Sequence, residues 1–138
     1  MRIVPLAIAL LAAAPAVAAP FGLERAGWTL ITASDDTWVF MRHHANGEDG
    51  VRQAWTAYDA EKRLERDGFA FRSVESLGEF DCRRGVSRVV DEIFHEEPGL
   101  KGKSWRSPRF QATPWTAPQP ASVGAVRMAF ACKALSET

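Results

Sequence analysis

The sequence predicts an α+β fold, in which an antiparallel β-sheet of five to six strands carries a C-terminal helix packed on one face and tethered by a disulfide. Three observations lead to this fold class. Short segments rich in β-branched and aromatic residues follow one another and are separated by turn dipeptides. One apolar stripe with helical spacing lies near the C-terminus. The two cysteines, Cys82 and Cys132, fall in a strand-like and a helix-like segment, respectively.

The first 18 residues have the layout of a secretory signal peptide. Arg2 precedes an apolar run at 3–14, and small residues follow, with Ala16 and Ala18 at the positions of an A-x-A cleavage site. The alternative, an uncleaved membrane anchor, is disfavoured because the run is shorter than the roughly 20 residues that a spanning helix needs. We therefore expect cleavage after Ala18 and a periplasmic, secreted or cell-surface location. No cysteine lies near the cut, so we expect no lipoprotein anchor.

The remaining residues suit a single domain, with an N-terminal lead at 19–27 and an α+β body at 28–138. The full chain has 17 basic and 17 acidic side chains, and removing Arg2 with the leader leaves a net charge of −1. A near-neutral protein lacks the basic footprint of a nucleic-acid-binding domain. No second apolar segment is long enough to span a bilayer.

Five strands are predicted in the first two-thirds of the domain, joined by connections too short to hold a helix. Asp35-Asp36, Asn46-Gly47 and Asp49-Gly50 supply turn chemistry between them. The charged segment 60–68 is typical of a solvated loop or a frayed helical turn. The predicted strands are 28–34, 37–44, 51–59, 69–82 and 86–96.

The character of the chain changes after Pro98-Gly99. Residues 101–120 contain four of the eight prolines, which allows one more edge strand around Lys103–Arg106 and otherwise predicts an ordered coil. Trp105 and Trp115 are expected to hold this coil in place by burying apolar area.

Residues 121–136 form the one good helix candidate. A single helix must bury its apolar stripe, and the sheet is the only large surface available for it. The predicted stripe consists of Ala125, Met128, Cys132 and Leu135, broadened by Val123, Val126 and Phe130.

The two cysteines are predicted to form a disulfide that ties this helix to the sheet. Alternation along the fourth strand places Cys82 on the helix side, and Cys132 lies on the helix stripe. An exported protein meets an oxidising compartment, where a bridge closing a loop of this size contributes roughly 4 kcal/mol. The alternative, a metal or redox pair, lacks a C-x-x-C motif or closely spaced histidines. Cys82 is predicted to share its face with Val74, Ser76, Gly78 and Phe80, while Glu75, Glu79 and Asp81 point to solvent.

Several motifs together resemble the surface-adhesin protein E family of small exported bacterial proteins. They are an opening "W-x-L" strand, a later strand "VRQAWTAYD", and "LGEFDC" followed by a basic turn and an apolar strand. The C-terminal stretch "PWTAPQPASVGAVRMAFAC" completes the pattern, and the order and spacing of Cys82, Trp115 and Cys132 are its most specific part. The resemblance covers about residues 28–135. It implies an antiparallel sheet with a disulfide-tethered C-terminal helix, and adhesion as a family activity.

The remaining polar groups predict no catalytic site, no metal site and no cofactor. His43 and His44 are adjacent on a strand and so point to opposite faces, and a metal or haem site would need His95 from another strand. We expect these to be exposed sheet histidines. Asp35-Asp36 is typical of a turn rather than of paired catalytic acids. The serines at 73, 76 and 104 have neither a G-x-S-x-G motif nor a paired base.

A set of basic residues around one tryptophan gives the sharpest prediction of a binding surface. Such a rim suits an acidic partner, either a protein or an acidic polysaccharide. The alternative is a solvated charged loop with no ligand. The predicted rim consists of Arg83, Arg84, Lys101, Lys103, Trp105, Arg106 and Arg109.

Two functions from different classes therefore remain. The favoured one is an exported, non-catalytic binding protein, acting in adhesion or in envelope-associated protein binding, because the sequence has no catalytic motif. The alternative is a small periplasmic enzyme, or an inhibitor of one, that uses the open face of the sheet. A homodimer through a sheet edge is a further expectation.

Overall fold

The computed structural model describes residues 21–133, and these form one six-stranded antiparallel sheet with a single α-helix. Neighbouring strands in the sheet are also neighbours in sequence, as hairpin connections dictate. The predicted fold class is confirmed. The predicted signal peptide lies outside the described residues. The strands are β1 (Thr29–Ala33), β2 (Thr37–Asn46), β3 (Val51–Arg66), β4 (Phe69–Asp81), β5 (Val86–Glu97) and β6 (Lys101–Trp105), and the helix is α1 (Val123–Cys132).

The long β3–β4 hairpin contradicts the prediction of a loop or helical turn at 60–68. β3 continues to Arg66, and a two-residue turn at Asp67 and Gly68 returns the chain into β4, both with positive φ (49° and 82°). Beyond Ala60 the strands β3 and β4 pair in the sheet only with each other, because Ala60 lies opposite Thr37, the first residue of β2. Residues 61–66 of β3 are all exposed, so this part of the strand lacks the apolar alternation that would have predicted it.

The sheet has apolar clusters on both faces. On the helix face, Met41, Ala54 and Phe80 pack with Ala131 of α1. On the opposite face, Leu23, Trp28, Phe40 and Ala57 form a second cluster. Leu23 belongs to a short 3₁₀ helix, Leu23–Ala26, so the N-terminal lead covers part of the face that the sequence left open.

Three acidic side chains of β4 are not solvated as predicted, because each of them has polar partners within the fold. The side chain of Glu75 is 16% exposed, that of Glu79 is 18% exposed and that of Asp81 is 13% exposed. Glu79 accepts hydrogen bonds from Arg88 at 2.8 Å, and Glu75 pairs with His95 at 3.2 Å. Asp81 instead accepts N–H donors of the turn that follows β4. These partners belong to the neighbouring strand or to the turn after β4. The alternation of polar and apolar residues within β4 does not predict them.

The helix faces the sheet through smaller and more polar residues than predicted. Ala131 is fully buried and Met128 is half-buried, while Val123 and Val126 are exposed and do not broaden the buried stripe. Gly124, Arg127, Met128 and Ala131 share one side by their i, i+3, i+4, i+7 spacing. Where this side meets the sheet, Ala131 is small and Arg127 is charged, so hydrophobicity alone misjudged it. Leu135 lies outside the described residues.

The disulfide between Cys82 and Cys132 is present, with Cα atoms 5.7 Å apart, and its prediction is confirmed. The helix begins at Ser122, whose hydroxyl accepts the N–H of Ala125 at 3.2 Å. This cap sets the start of α1 two residues later than the predicted one. The bridge then fixes the last turn of α1 to the end of β4.

The proline-rich coil between β6 and α1 is ordered along β5. Ser87 and Thr116 exchange backbone hydrogen bonds of 2.9 and 3.0 Å, and Thr113 donates its N–H to Val89 at 3.0 Å. Between Trp105 and Thr113 the coil leaves β5 and then returns to it. Trp115 is half-buried beneath the Arg88 guanidinium, 4.6 Å from the ring centroid.

Candidate binding cleft

The structure does not bring the predicted basic rim together. Arg83 and Arg84 lie in the turn before β5, whereas Lys101 and Lys103 lie in β6, which pairs with the other end of β5. β5 has 12 residues and therefore separates the two groups by roughly 40 Å. The rim residues consequently form two separate sets, and their binding role stays a prediction.

The first set is engaged locally. Arg84 lies 3.8 Å from the Asp81 carboxylate, and the Arg83 side chain packs against the backbone of Gly50 in the β2–β3 connection. Gly50 has φ +80°, and an added Cβ there would come within 3.0–3.3 Å of Arg83. These arginines therefore cover a turn.

Two members of the second set, Trp105 and Arg109, line a cleft that sequence analysis did not predict. Its walls are the β3–β4 turn and the coil segment 106–113, and the helix face of β5 forms its floor. The cleft has a volume of about 470 Å³, and a second hollow of about 300 Å³ adjoins it. Arg109 lines both spaces and Trp105 lines the second. Lys101 and Lys103 are exposed on β6, and Arg106 is paired with Asp91 at 3.2 Å. The first space is lined chiefly by Arg66, Asp67, Glu92, Phe94, Arg109 and Phe110.

The topology explains why the cleft forms. The outer end of the β3–β4 hairpin projects beyond β5, because β4 pairs with β5 only from Ser73 onward. The coil leaves β5 next to this projection and returns at Thr113. A gap remains between the hairpin tip and the coil, and the side chains on the helix face of β5 form its floor.

Aromatic packing fixes one wall of the cleft. Trp105 lies nearly parallel to Phe69, with centroids 5.8 Å apart, and tilts against Phe94 at 5.6 Å. The guanidinium of Arg66 lies 5.7 Å from the centroid of the Phe94 ring. Such contacts hold a long arginine side chain on an apolar surface with its donors still available.

The charges of the cleft are mixed. Arg66 and Arg109 bring two guanidiniums, and Asp67 and Glu92 bring two carboxylates. Burial raises the pKa of Glu92 above its usual value, and the nearby Arg66 opposes this effect. A partly desolvated carboxylate with a cation beside it can accept hydrogen bonds from a ligand and can also take up a proton in mild acid.

A polar row leads from the cleft towards α1. Thr56, Ser76 and Glu92 are directly paired across three strands, and Thr56 accepts the Nε–H of Arg127 at 3.0 Å. Burial raises the pKa of Tyr58 in the adjacent row, with Arg127 lowering it and Glu92 raising it. The Arg127 guanidinium of α1 therefore lies over buried hydroxyl groups of the sheet. Its hydrogen bond to Thr56 attaches α1 to the sheet in addition to the disulfide.

The histidines lie in three different settings. His43 stacks on Phe130 of α1, with ring centroids 4.6 Å apart, and His44 contacts Trp55, so the two point to opposite faces as predicted. His95 is buried beside Glu75, which contradicts its prediction as an exposed histidine. Within residues 21–133, no group of three His, Cys, Asp or Glu side chains is placed to hold a metal ion.

The sheet brings together Ser73, His95 and Glu75. The hydrogen bonds of Ser73 stabilise the β5–β6 turn, and the three residues do not form a catalytic triad. Ser73 and His95 are paired across β4 and β5, and His95 contacts Glu75 at 3.2 Å. The Ser73 hydroxyl donates to the carbonyl of Glu97 at 2.6 Å and accepts the N–H of Leu100 at 3.0 Å. It is therefore committed to the β5–β6 turn, and its side chain is not bonded to the imidazole as nucleophilic catalysis would require.

Asp59 supports the same turn from β3. Its Oδ1 accepts the N–H of Gly99 at 2.8 Å, while Oδ2 has no hydrogen-bond partner among the described residues. The residue is fully buried. Burial raises the pKa of this carboxyl, and the Gly99 N–H and the nearby Arg72 counteract part of that effect.

Comparison with protein families decides the relationship that the sequence motifs suggested. The model of the surface-adhesin protein E family matches residues 28–133. The chain belongs to this family. The protein E match therefore covers the whole sheet, the coil and α1, and it confirms the resemblance identified from the cysteine and tryptophan spacing.

Solved protein E structures have the same fold. The crystal structure of protein E from non-typeable Haemophilus influenzae is 14% identical, with a TM-score of 0.64, over 91% of this chain and 85% of that one. A second crystal form of Haemophilus influenzae protein E gives the same identity and TM-score over 81% of this chain and 91% of the other. Among curated proteins, none matches the sequence. At this identity the likeness establishes the protein E fold alone. The side chains that line the cleft are therefore described for this chain only.

No helix among the described residues of this protein E family member is long and apolar enough to cross a membrane.

Proposed function

We propose that this member of the protein E family is an exported, non-catalytic binding module of the bacterial surface, and that the cleft beside the β3–β4 turn is its recognition surface. The observation that supports this site is the convergence of Arg66 and Arg109 on one cleft from distant parts of the chain. Family membership supports a surface adhesin as the general class.

Binding is favoured over catalysis because the cleft offers side chains for contact but no paired nucleophile and base. Glu92 and Asp67 are its acidic groups, and the described histidines lie elsewhere. Exposed arginines next to aromatic side chains are typical of recognition surfaces, where they supply both hydrogen bonds and contact area.

The proposed route to the surface begins with removal of residues 1–18 as a signal peptide. Mature protein would then fold in the periplasm, where Cys82 and Cys132 are oxidised. We propose a location in the periplasm, at the cell surface or in the medium, without a lipid anchor on the chain.

The proposed partner is a protein or an acidic polysaccharide on a host or envelope surface. Lys101 and Lys103 lie on the exposed edge strand β6 and extend the positive charge beyond the cleft. A homodimer through a sheet edge stays a prediction, and sedimentation of the mature protein tests it independently of ligand binding.

Attachment assays with matched variants test the proposed site. Labelled mature protein is added to fixed epithelial cells and to immobilised extracellular-matrix extract. The doubly substituted R66Q/R109Q protein should lose attachment by about tenfold or more, because each arginine supplies charged hydrogen bonds. The matched control, R83Q/R84Q, removes the same charge at the opposite end of β5 and should stay within about twofold.

Folding is verified in both variants by circular dichroism and by the absence of free thiol. Equal attachment by wild type and R66Q/R109Q would place recognition elsewhere on the molecule. Loss of attachment only in R83Q/R84Q would move the site to the other end of the sheet.

A further inference from the structure

The charges in the cleft cancel. Arg66 and Arg109 are opposed by Asp67 and Glu92, so the net charge of the lining is close to zero at neutral pH. A heavily sulfated polymer would gain little from such a site, because attraction to two guanidiniums is offset by repulsion from two carboxylates. The cleft is instead suited to directional hydrogen bonds.

The lining offers both donors and acceptors in planar side chains. A guanidinium presents several N–H donors in a fixed fork, and a carboxylate presents two acceptor oxygens. Gln111 adds an amide that can donate and accept, and Ser107 and Thr113 add hydroxyl groups. Neighbouring hydroxyl groups of a sugar ring each donate and accept, and their pairs match such planar side chains.

Aromatic rings stand next to these polar groups. Trp105 is held in place by Phe69 and Phe94, and Phe110 lines the main space. The face of an aromatic ring carries partial negative charge, which attracts the weakly positive C–H groups on the flat side of a sugar ring. Trp105 and Phe110 are half-buried, so part of each ring remains accessible.

The size of the cleft agrees with a small ligand segment. Its volume of about 470 Å³ lies within the roughly 300–1,000 Å³ that is usual for small-molecule sites. The adjoining hollow of about 300 Å³ at Trp105 extends it in one direction.

We propose that this cleft binds a saccharide of one or two rings, neutral or carrying a single acidic group, through planar polar side chains and aromatic stacking. This inference rests on the proposed function and specifies its partner as a carbohydrate whose sugar rings are recognised individually, in place of a protein or a highly charged polysaccharide. Arg66 and Arg109 then act as forked donors to ring hydroxyls or to one carboxylate. Glu92 and Asp67 accept from other hydroxyls.

A printed array of defined neutral, sialylated and sulfated glycans tests the ligand class with the mature wild-type protein. Binding to neutral or singly acidic glycans is the expected result. It should change by less than about twofold between about 50 and 300 mM NaCl, because screening acts weakly where the net charge is near zero. No glycan binding, or binding only to sulfated glycans with a steep loss in salt, overturns the proposal.

Titration calorimetry with the best glycan of the array then tests the residues. R109Q should weaken binding by about tenfold and Q111A by about threefold or more, since each removes hydrogen bonds to the ligand. Gln119 is an exposed glutamine of the same coil that does not line the cleft, so Q119A is the matched control and should bind like wild type. Unchanged affinity in R109Q and Q111A would contradict the assignment of the cleft.

Mild periodate treatment of the cells separates this inference from the proposed function. Periodate cleaves vicinal diols and so destroys sugar rings, and wild-type attachment should fall. If R66Q/R109Q loses attachment while periodate leaves wild-type attachment intact, the cleft binds a non-carbohydrate partner. The proposed function then stands and the saccharide proposal fails.

Discussion

The buried carboxyl of Asp59 should make the stability of the domain depend on pH. Its pKa is raised above the ordinary 3.8 mainly by burial, so the folded protein holds this proton to higher pH than the unfolded chain does. Stability therefore falls as the pH rises from the ordinary pKa through the raised one. D59N lacks this titration, and the difference in unfolding free energy between D59N and wild type should shift in favour of D59N between about pH 4 and pH 7.

Urea unfolding at several pH values measures this difference, and D36N provides the control. Asp36 is exposed in the β1–β2 turn, so D36N makes the same chemical change at a carboxyl that is not buried. A difference between D59N and wild type that is independent of pH would mean that Asp59 does not titrate with a raised pKa in the folded state.

Gly78 is a second position where a single substitution should have a large effect on the stability of the domain. A Cβ added there would lie 2.7 Å from the ring of Phe80 and 3.3 Å from the Arg127 guanidinium. Phe80 is fully buried and has little room to move. G78A should therefore destabilise the protein by roughly 1–3 kcal/mol, as overpacked substitutions do.

Denaturant unfolding measures this loss, and a double-mutant cycle identifies its cause. In an F80L background the clash is relieved, so the added cost of G78A should shrink. An equal cost of G78A in both backgrounds would point to the backbone rather than to the Phe80 contact.

At the level of elements, the helix should be the part of the domain most dependent on the disulfide. α1 buries Ala131 and half of Met128, and its polar anchor is the bond from Arg127 to Thr56. The C82S/C132S variant should lose roughly 2–5 kcal/mol of unfolding free energy. Amide exchange should accelerate in Val126–Cys132 before it accelerates in Val86–Phe94, because the β-hairpins also support one another.

Mass spectrometry after exchange resolves the two segments, and wild type without reductant serves as the reference. Ellman's reagent should find no free thiol in that reference. Simultaneous acceleration of α1 and β5 in the variant would mean that helix and sheet open as one unit.

The elements were predictable where local chemistry determines them. Turn dipeptides such as Asn46-Gly47 and Asp49-Gly50 mark hairpins in the sequence, and alternation in 69–82 identified a strand with Cys82 facing the helix. The outer part of β3 was not predictable, because residues 61–66 are all exposed and carry no apolar pattern, whereas the aromatic side chains of this ribbon, Phe69 and Phe71, belong to β4. The buried side of α1 was misjudged because small Ala131 and charged Arg127 meet the sheet there, and a search for a hydrophobic stripe identifies neither.

At the level of the whole molecule, the export prediction can be checked directly. Mature protein from the envelope fraction should begin at Ala19 or within a residue or two of it, because Ala16 and Ala18 fit the signal-peptidase site. Intact-mass measurement and Edman sequencing give the answer. A retained Met1 would contradict both the signal peptide and the proposed location.

The candidate site shows why function was less predictable than fold. Trp105 and Arg109 were identified from sequence because Trp105 is an aromatic residue within a basic stretch, and Arg109 belongs to that stretch. Arg66 and Glu92 were not, since neither has a local motif and only the projection of the β3–β4 hairpin brings them to the coil. The predicted rim also grouped Arg83 with Lys101. Their shared charge gave no indication that the length of β5 separates them in the fold.

The disulfide has a mechanical consequence for an adhesin, which is pulled when a cell attached through it is displaced. Tension applied to the chain beyond Cys132 passes through the sulfur–sulfur bond into the end of β4, and bypasses the segment between the two cysteines, which are 50 positions apart. That segment contains β5, β6, the coil and nearly all of α1. About 170 Å of extended chain, at roughly 3.4 Å per residue, is thereby withheld from stretching. The coil wall of the cleft lies inside this covalent loop, so a load on the C-terminus is carried past the coil and does not stretch it.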